Sequence, residues 1–266
     1  MARTRRTVRA GVDPTGIKEL LDEAYDRYAV PSFVESDPVQ VPRSFEQVAD
    51  AEVMAFLTAT IAWGQRPVIL RNAWRIVDLF DGSPHAFIMQ AGPEELARIE
   101  RFQHRTFNGI DLTCFVLAMR HLYLAFGSLE NSFLCSGAFD TMPAALARFR
   151  DRFFSTPHPL RSEKHVADVR KGAHAKRLNM FMRWMVRPDD SGIDLGLWKR
   201  IRPAHLLTPM DVHTGRMARA LGLLSRKQDD LKSVQELTDA LKRFDPEDPV
   251  KYDIALFSLG VHHGDQ

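Results

Sequence analysis

Apolar positions recur along this chain at helical spacing, and the segments they define are bounded by helix start and stop residues rather than by strand-like alternation. The pattern predicts helix from about Ile17 to the C-terminus. Ser44-Phe-Glu-Gln47 has the form of a capping box, after which Val48, Val53, Phe56, Leu57 and Ile61 share one face up to Gly64. Pro67 opens a run from Val68 to Phe80 that Asp81-Gly82 stops, and Pro93 opens a short helix. Leu112 to Phe126 is a long apolar helix closed by Gly127, and Thr141-Met-Pro143 starts one reaching Phe154. A helix from Lys176 to Val186 follows, bracketed by irregular, Pro- and charge-rich stretches at 155–175 and 187–196. Thr208-Pro209 is expected to cap a helix ending at Leu221-Gly222. Ser233-Val-Gln-Glu236 reads as a second capping box, and Pro249 opens a last apolar helix through Leu259.

No internal repeat or linker interrupts this series. The expected organisation is a basic N-terminal tail, residues 1–16, followed by one all-α domain over 17–266. With 45% hydrophobic and 26% charged residues, the 266-residue chain has the balance of a folded domain, which excludes disorder and fibres. A net charge of +2 permits nucleic-acid binding without arguing for it, since phosphate contacts depend on local Lys and Arg clusters. The basic start is either an arm on nucleic acid or a solvated terminus. It lacks the apolar core of a secretory signal. Cys114 and Cys135 lie beside apolar residues, as reduced thiols do, and no stretch approaches the roughly 20 apolar residues of a membrane span. A cytoplasmic protein without membrane association is expected.

Three blocks carry chemistry. The first, Phe56-Leu-Thr-Ala-Thr-Ile-Ala-Trp-Gly-Gln65-Arg66, is an apolar helix running into a polar turn. The second is Lys171-Gly172-Ala-His174-Ala-Lys176, a glycine-bearing turn at a helix start. Such a turn points backbone amides and the positive helix end at an anion. The third is Pro209-Met-Asp211-Val-His213-Thr-Gly-Arg216. Read alone, Gln65 is a polar residue of a helix-ending turn, Lys176 a solvated side chain, and Asp211 a first-turn carboxylate satisfying orphan amides.

In this order, the blocks resemble the helix-hairpin-helix DNA glycosylase superfamily, whose members include endonuclease III and 8-oxoguanine glycosylase. The Trp-Gly-Gln-Arg and Pro-Met-Asp-x-His segments are most similar to a bacterial branch of unassigned function. The resemblance implies two helical lobes with a cleft between them. It further implies a DNA N-glycosylase with lyase activity on a base flipped out of the duplex. Lys176 matches the family's nucleophilic lysine and Asp211 its catalytic aspartate; His213 and Arg216 belong to the structural part of that motif. Gln65 would fill the vacated stack, and Arg66, Arg71, Gly172 and His174 would meet the DNA backbone. His174 stands where the second hairpin glycine would be, and a residue with a Cβ resists the positive φ that glycine supplies. The 35 residues from Lys176 to Asp211 exceed the family spacing.

The implied partner is double-stranded DNA, bound by a monomer. No Cys cluster follows Gly260, so no iron–sulfur cluster is expected, and no other cofactor or metal is assigned. His262-His263 with Asp265 reads as a solvated tail. The alternative is a non-catalytic nucleic-acid-binding protein on the same fold.

Overall fold

The computed structural model describes residues 14–188, 190 and 192–262. Among them the chain forms α1 (Pro14–Tyr28), α2 (Gln40–Arg43), α3 (Val48–Ile61), α4 (Arg66–Leu79), α5 (Pro84–Gln90) and α6 (Pro93–Ile99). A two-residue antiparallel pair, β1 (Gln103–His104) with β2 (Phe107–Asn108), precedes α7 (Gly109–Phe126), α8 (Leu129–Phe133) and α9 (Met142–Phe153). Then come α10 (Lys176–Val186), α11 (Val212–Ala220), α12 (Leu231–Lys242) and α13 (Tyr252–His262). The all-α expectation holds. Residues 14–16, which the sequence reading placed in the basic tail, are the first turn of α1; residues 1–13, His263 and Asp265 lie outside the described part.

Helix α3 is the axis of the core. Its apolar residues do not form a single stripe: every side chain from Ala51 to Ile61 is buried, whereas Val48 is exposed. A helix surrounded by others has no polar face to present. Phe56 shows why: its ring centre lies 5.3–5.5 Å from those of Phe115 on α7, Phe149 and Phe153 on α9, and Phe181 on α10. Each buried phenylalanine contributes about 1.5–3 kcal/mol, and tilted or edge-on pairs add about 0.5–1.5 kcal/mol. Three helices are thereby held to one ring of α3. Helix α7 reaches a mean hydropathy of 1.3 over 18 residues, so it is long and apolar enough to cross a membrane by composition. Here 56% of it is buried inside the protein, Leu112, Phe115 and Met119 among the packed side chains.

The helix starts differ from the sequence reading in three places. Ser44 belongs to the end of α2, its Oγ donating to Val41 O, and Gln47 is the residue before α3. Asp211, not Thr208, caps α11. Thr208 is buried and bonded to Thr238, its N–H donating to the Thr238 hydroxyl at 3.1 Å. Asp230 caps α12 by accepting the Ser233 N–H at 2.9 Å, while Glu236 accepts the N–H and hydroxyl of Ser225. In the last two cases an aspartate three residues before the helix's third position was free to accept, and the Ser or Thr had other partners.

The end of α10 is locked by buried charge. Asp194 is fully shielded from water and accepts from Arg183 Nε at 3.2 Å and Arg187 Nη1 at 2.6 Å. Arg183 also donates to Asp253 on α13 at 2.6 Å, and Arg187 to Asp248 and the Tyr25 hydroxyl. These bonds join α1, α10, α13 and the segment after α10. Replacing Asp194 by alanine leaves both guanidinium groups short of a partner in a dry interior. It is expected to destabilise the fold by roughly 3–5 kcal/mol, read as a lowered urea midpoint with unchanged slope.

Candidate functional site

Two helix starts meet at one cavity of about 650 Å³. Lys176 is the first residue of α10 and Asp211 is the N-cap of α11; the Lys176 amine lies 3.7 Å from Asp211 Oδ2. The other carboxylate oxygen accepts the Thr214 N–H at 2.9 Å, so the cap orients the carboxylate toward the amine. Both side chains are partly open to solvent. The long chain segment between them therefore brings them together.

The turn before Lys176 contains the expected left-handed glycine: Gly172 has φ +81° and ends a three-residue 3-10 turn, Val169–Lys171. The second left-handed position is Ala175, at φ +50°, rather than His174. The predicted conflict at His174 is thus displaced by one residue, to the smallest side chain with a Cβ. The element before this turn is a 3-10 turn and not an α-helix. The Gly172 carbonyl accepts the Leu231 N–H at 2.9 Å, which docks the turn on the start of α12.

Of the residues singled out by sequence, Lys176, Asp211, Arg66, His174 and His213 line the cavity. Gln65, Arg71 and Arg216 are exposed, and these three and Gly172 lie outside the lining. Gln65 follows Gly64, whose φ of +106° is a conformation that residues with a side chain rarely adopt. His213 packs edge-on to Phe257, and its buried Nδ1 has no hydrogen-bond partner among the described residues. Burial pulls the His174 imidazole below its usual range, only partly offset by Asp229, which disfavours its charged form at the cavity wall.

Sequence reasoning missed Asp37, Trp63, Arg177, Arg183, Asp253 and Phe257, which also line the cavity. The signal available was a lone charge inside an apolar helix: Arg183 in α10 and Asp253 in α13. Asp253 Oδ1 accepts the Thr214 hydroxyl at 3.2 Å, linking it through one residue to Asp211. Arg177 donates to Thr60 O at 2.5 Å and lies over the Trp63 ring, fastening α10 to the end of α3. Among the described residues no group of three His, Cys, Asp or Glu is arranged to hold a metal.

A sequence model of a family described as a protein of unknown function, DUF2400, matches residues 37–262. The chain belongs to the DUF2400 family. No curated protein and no solved structure matches it. The DUF2400 match spans all of the catalytic candidates and begins at Asp37, so the cavity is built almost wholly from family sequence.

Within this DUF2400 cavity the Asp253 carboxyl is held above its usual range. Burial is the main cause and the Asp211 charge adds to it; Arg183, Lys176 and the Thr214 hydroxyl oppose, leaving the carboxyl at about 6. The folded protein therefore holds a proton there that the unfolded chain has lost above about pH 4. The contribution of this group to stability accordingly falls as pH rises from about 4 to 6 and is flat beyond. A carboxyl resonance with a midpoint near 6, missing from Asp253→Asn, is expected in a carbon-13 titration; a midpoint near 4 would contradict it.

Proposed function

We propose that this DUF2400 protein is a base-excision DNA glycosylase with lyase activity, built as two helical lobes of helix-hairpin-helix glycosylase type around the cavity. The observation that carries the reading is the 3.7 Å approach of the Lys176 amine to the Asp211 carboxylate at the mouth of a cavity of about 650 Å³. A nucleobase cannot react inside the stack, so the target nucleotide turns out of the duplex into this space.

Asp211 takes a proton from the Lys176 ammonium, and the freed amine attacks C1′ of the sugar. The bond from C1′ to the base breaks with its electron pair leaving on the base, which is then protonated. The departing base takes its proton from Asp211, and the carboxylate so restored stabilises the positive charge left on the sugar. Loss of the ring oxygen from C1′ gives the imine, from which strand cleavage by elimination follows. Asp211 is suited to this because its cap bond to Thr214 fixes one oxygen and leaves the other facing Lys176. Exposed Gln65 and Arg71 supply groups for the vacated stack and the phosphates, and binding weakens as salt rises.

Borohydride trapping on duplexes carrying an abasic site tests the chemistry. Wild type is expected to give a covalent adduct, Lys176→Ala to give roughly 100-fold less or none, and Asp211→Asn to lose a similar factor while keeping its cap. Equal trapping by wild type and Lys176→Ala would remove this lysine from the nucleophile's role. Salt-sensitive DNA binding without any adduct would leave a binding protein on this fold.

A further inference from the structure

Arg66 lies against aromatic rings of the cavity although its side chain stays partly open to solvent. Its guanidinium carbon lies 5.1 Å from the Phe257 ring centre and 5.9 Å from that of Phe33. One of its nitrogens is 3.8 Å from Asp37 Oδ2 and another 3.4 Å from Ser36 Oγ. Phe33, Asp37, Arg66 and Phe257 all line the cavity that holds Lys176 and Asp211.

The slot is better made than its occupant's bonds. A distance of 3.8 Å is outside hydrogen-bond range and 3.4 Å is at its limit. The Arg66 side chain remains 38% exposed, whereas that of Asp37 is 12% exposed. Asp37 Oδ1 is committed to the Val39 N–H at 3.0 Å, so Oδ2 faces the slot with a loosely placed cation as its near neighbour. Burial pushes the Asp37 carboxyl up and the Arg66 and Arg183 charges hold it down, so a good donor in the slot is favoured. The arrangement is two aromatic faces, one buried acceptor, and a flat group bearing adjacent N–H donors between them.

We propose that this slot is the site of a nucleobase presenting two adjacent N–H donors, the N1–H and N2–H₂ edge of guanine, and that Arg66 is an internal stand-in that leaves when the base enters. A guanidinium and that edge share the same unit, a carbon bearing two N–H groups in one plane, and both can aim those two donors at the one uncommitted oxygen, Asp37 Oδ2. The purine face would lie on Phe257 and Phe33 in place of the arginine. Adenine and cytosine place a ring-nitrogen lone pair beside their amino group, against the carboxylate, and leave Asp37 short of a donor. The inference rests on the base-excision reading and names the class of base that the reading leaves open. It also takes Arg66 away from the phosphates and assigns it to the gate of the pocket.

The slot is testable without DNA chemistry. Binding of guanosine, inosine and adenosine to the full chain is measured by ligand-observed NMR and calorimetry, for wild type, Arg66→Ala and Asp37→Asn. Removing the stand-in is expected to tighten guanosine binding roughly 10-fold, with guanosine favoured over adenosine by roughly 10-fold and inosine, which has one of the two donors, between them. Asp37→Asn, which can still accept from Val39, is expected to erase the preference. Guanosine bound no better than adenosine by Arg66→Ala, or no tighter by Arg66→Ala than by wild type, would overturn the proposal. A borohydride adduct without a guanosine preference sinks the slot alone; a guanosine preference without an adduct supports the slot and sinks only the lyase chemistry.

Discussion

The buried bond from Arg183 to Asp253 is the constraint on which the site depends. Arg183 lies two helical turns beyond Lys176 on the same face of α10, and Asp253 lies in the first turn of α13. Asp253 accepts the hydroxyl of Thr214, the same residue whose N–H is accepted by Asp211. From Lys176 to Arg183, Asp253, Thr214, Asp211 and back to Lys176 the contacts close a circuit through α10, α13 and α11. A buried ion pair is a poor source of net stability, because desolvation consumes much of the attraction. It is costly to break, however, and its geometry is narrow. Such a pair sets which turn of α10 faces which turn of α13, which apolar packing between helices leaves free to slide by one side chain.

The segment joining Lys176 to Asp211 is long but is not slack. After α10 the chain turns back at once: Leu195 N–H and Gly196 N–H donate to Trp184 O, and Trp198 N–H to Met185 O. The Trp198 indole then donates to Glu52 Oε1 at 2.6 Å inside the core, beside a Tyr123 hydroxyl bonded to the other oxygen of Glu52. Burial raises the Glu52 carboxyl, and these three donors, counting the Leu129 N–H, oppose that rise. Ile201, Leu206, Leu207 and Met210 are buried on the way to Asp211. Loop-closure entropy grows only as the logarithm of length, so a packed insertion of this size costs little. Lys176 and Asp211 are thus brought within 3.7 Å across 35 residues of chain.

Much of this was legible in the sequence wherever one local rule acted alone. The bounds of α10, Lys176 to Val186, follow from its apolar period and from the irregular stretches on both sides. Gly127 closes α7 in the left-handed conformation for the reason a sequence suggests. The caps at Thr208 and Ser233 failed where two candidate cap residues stood three apart and tertiary contacts chose between them. Lys176, Asp211 and His213 were visible because they sit in a motif. Asp37, Arg183 and Asp253 were not, since each is a single charge whose meaning arises only when distant helices meet. Arg66 was visible as a basic residue, but its direction was set by Phe33 and Phe257, from the two ends of the described chain.

The balance of charge in the cavity says what kind of selectivity it supports. Asp37, Asp211, Asp229 and Asp253 face Arg66, Lys176, Arg177 and Arg183, so acids and bases are matched in number. Two helix N-termini, those of α10 and α11, open on the same space and add partial positive charge that the carboxylates offset. A cavity so balanced gains little by drawing in net charge of either sign. Arg177 and Arg183 are already spent on Thr60, Asp194 and Asp253, which removes them from ligand recognition. What remains to discriminate is the order of donors and acceptors around an aromatic slot. Order of that kind tells one nucleobase from another, whereas a phosphate or a simple ion offers it nothing to read.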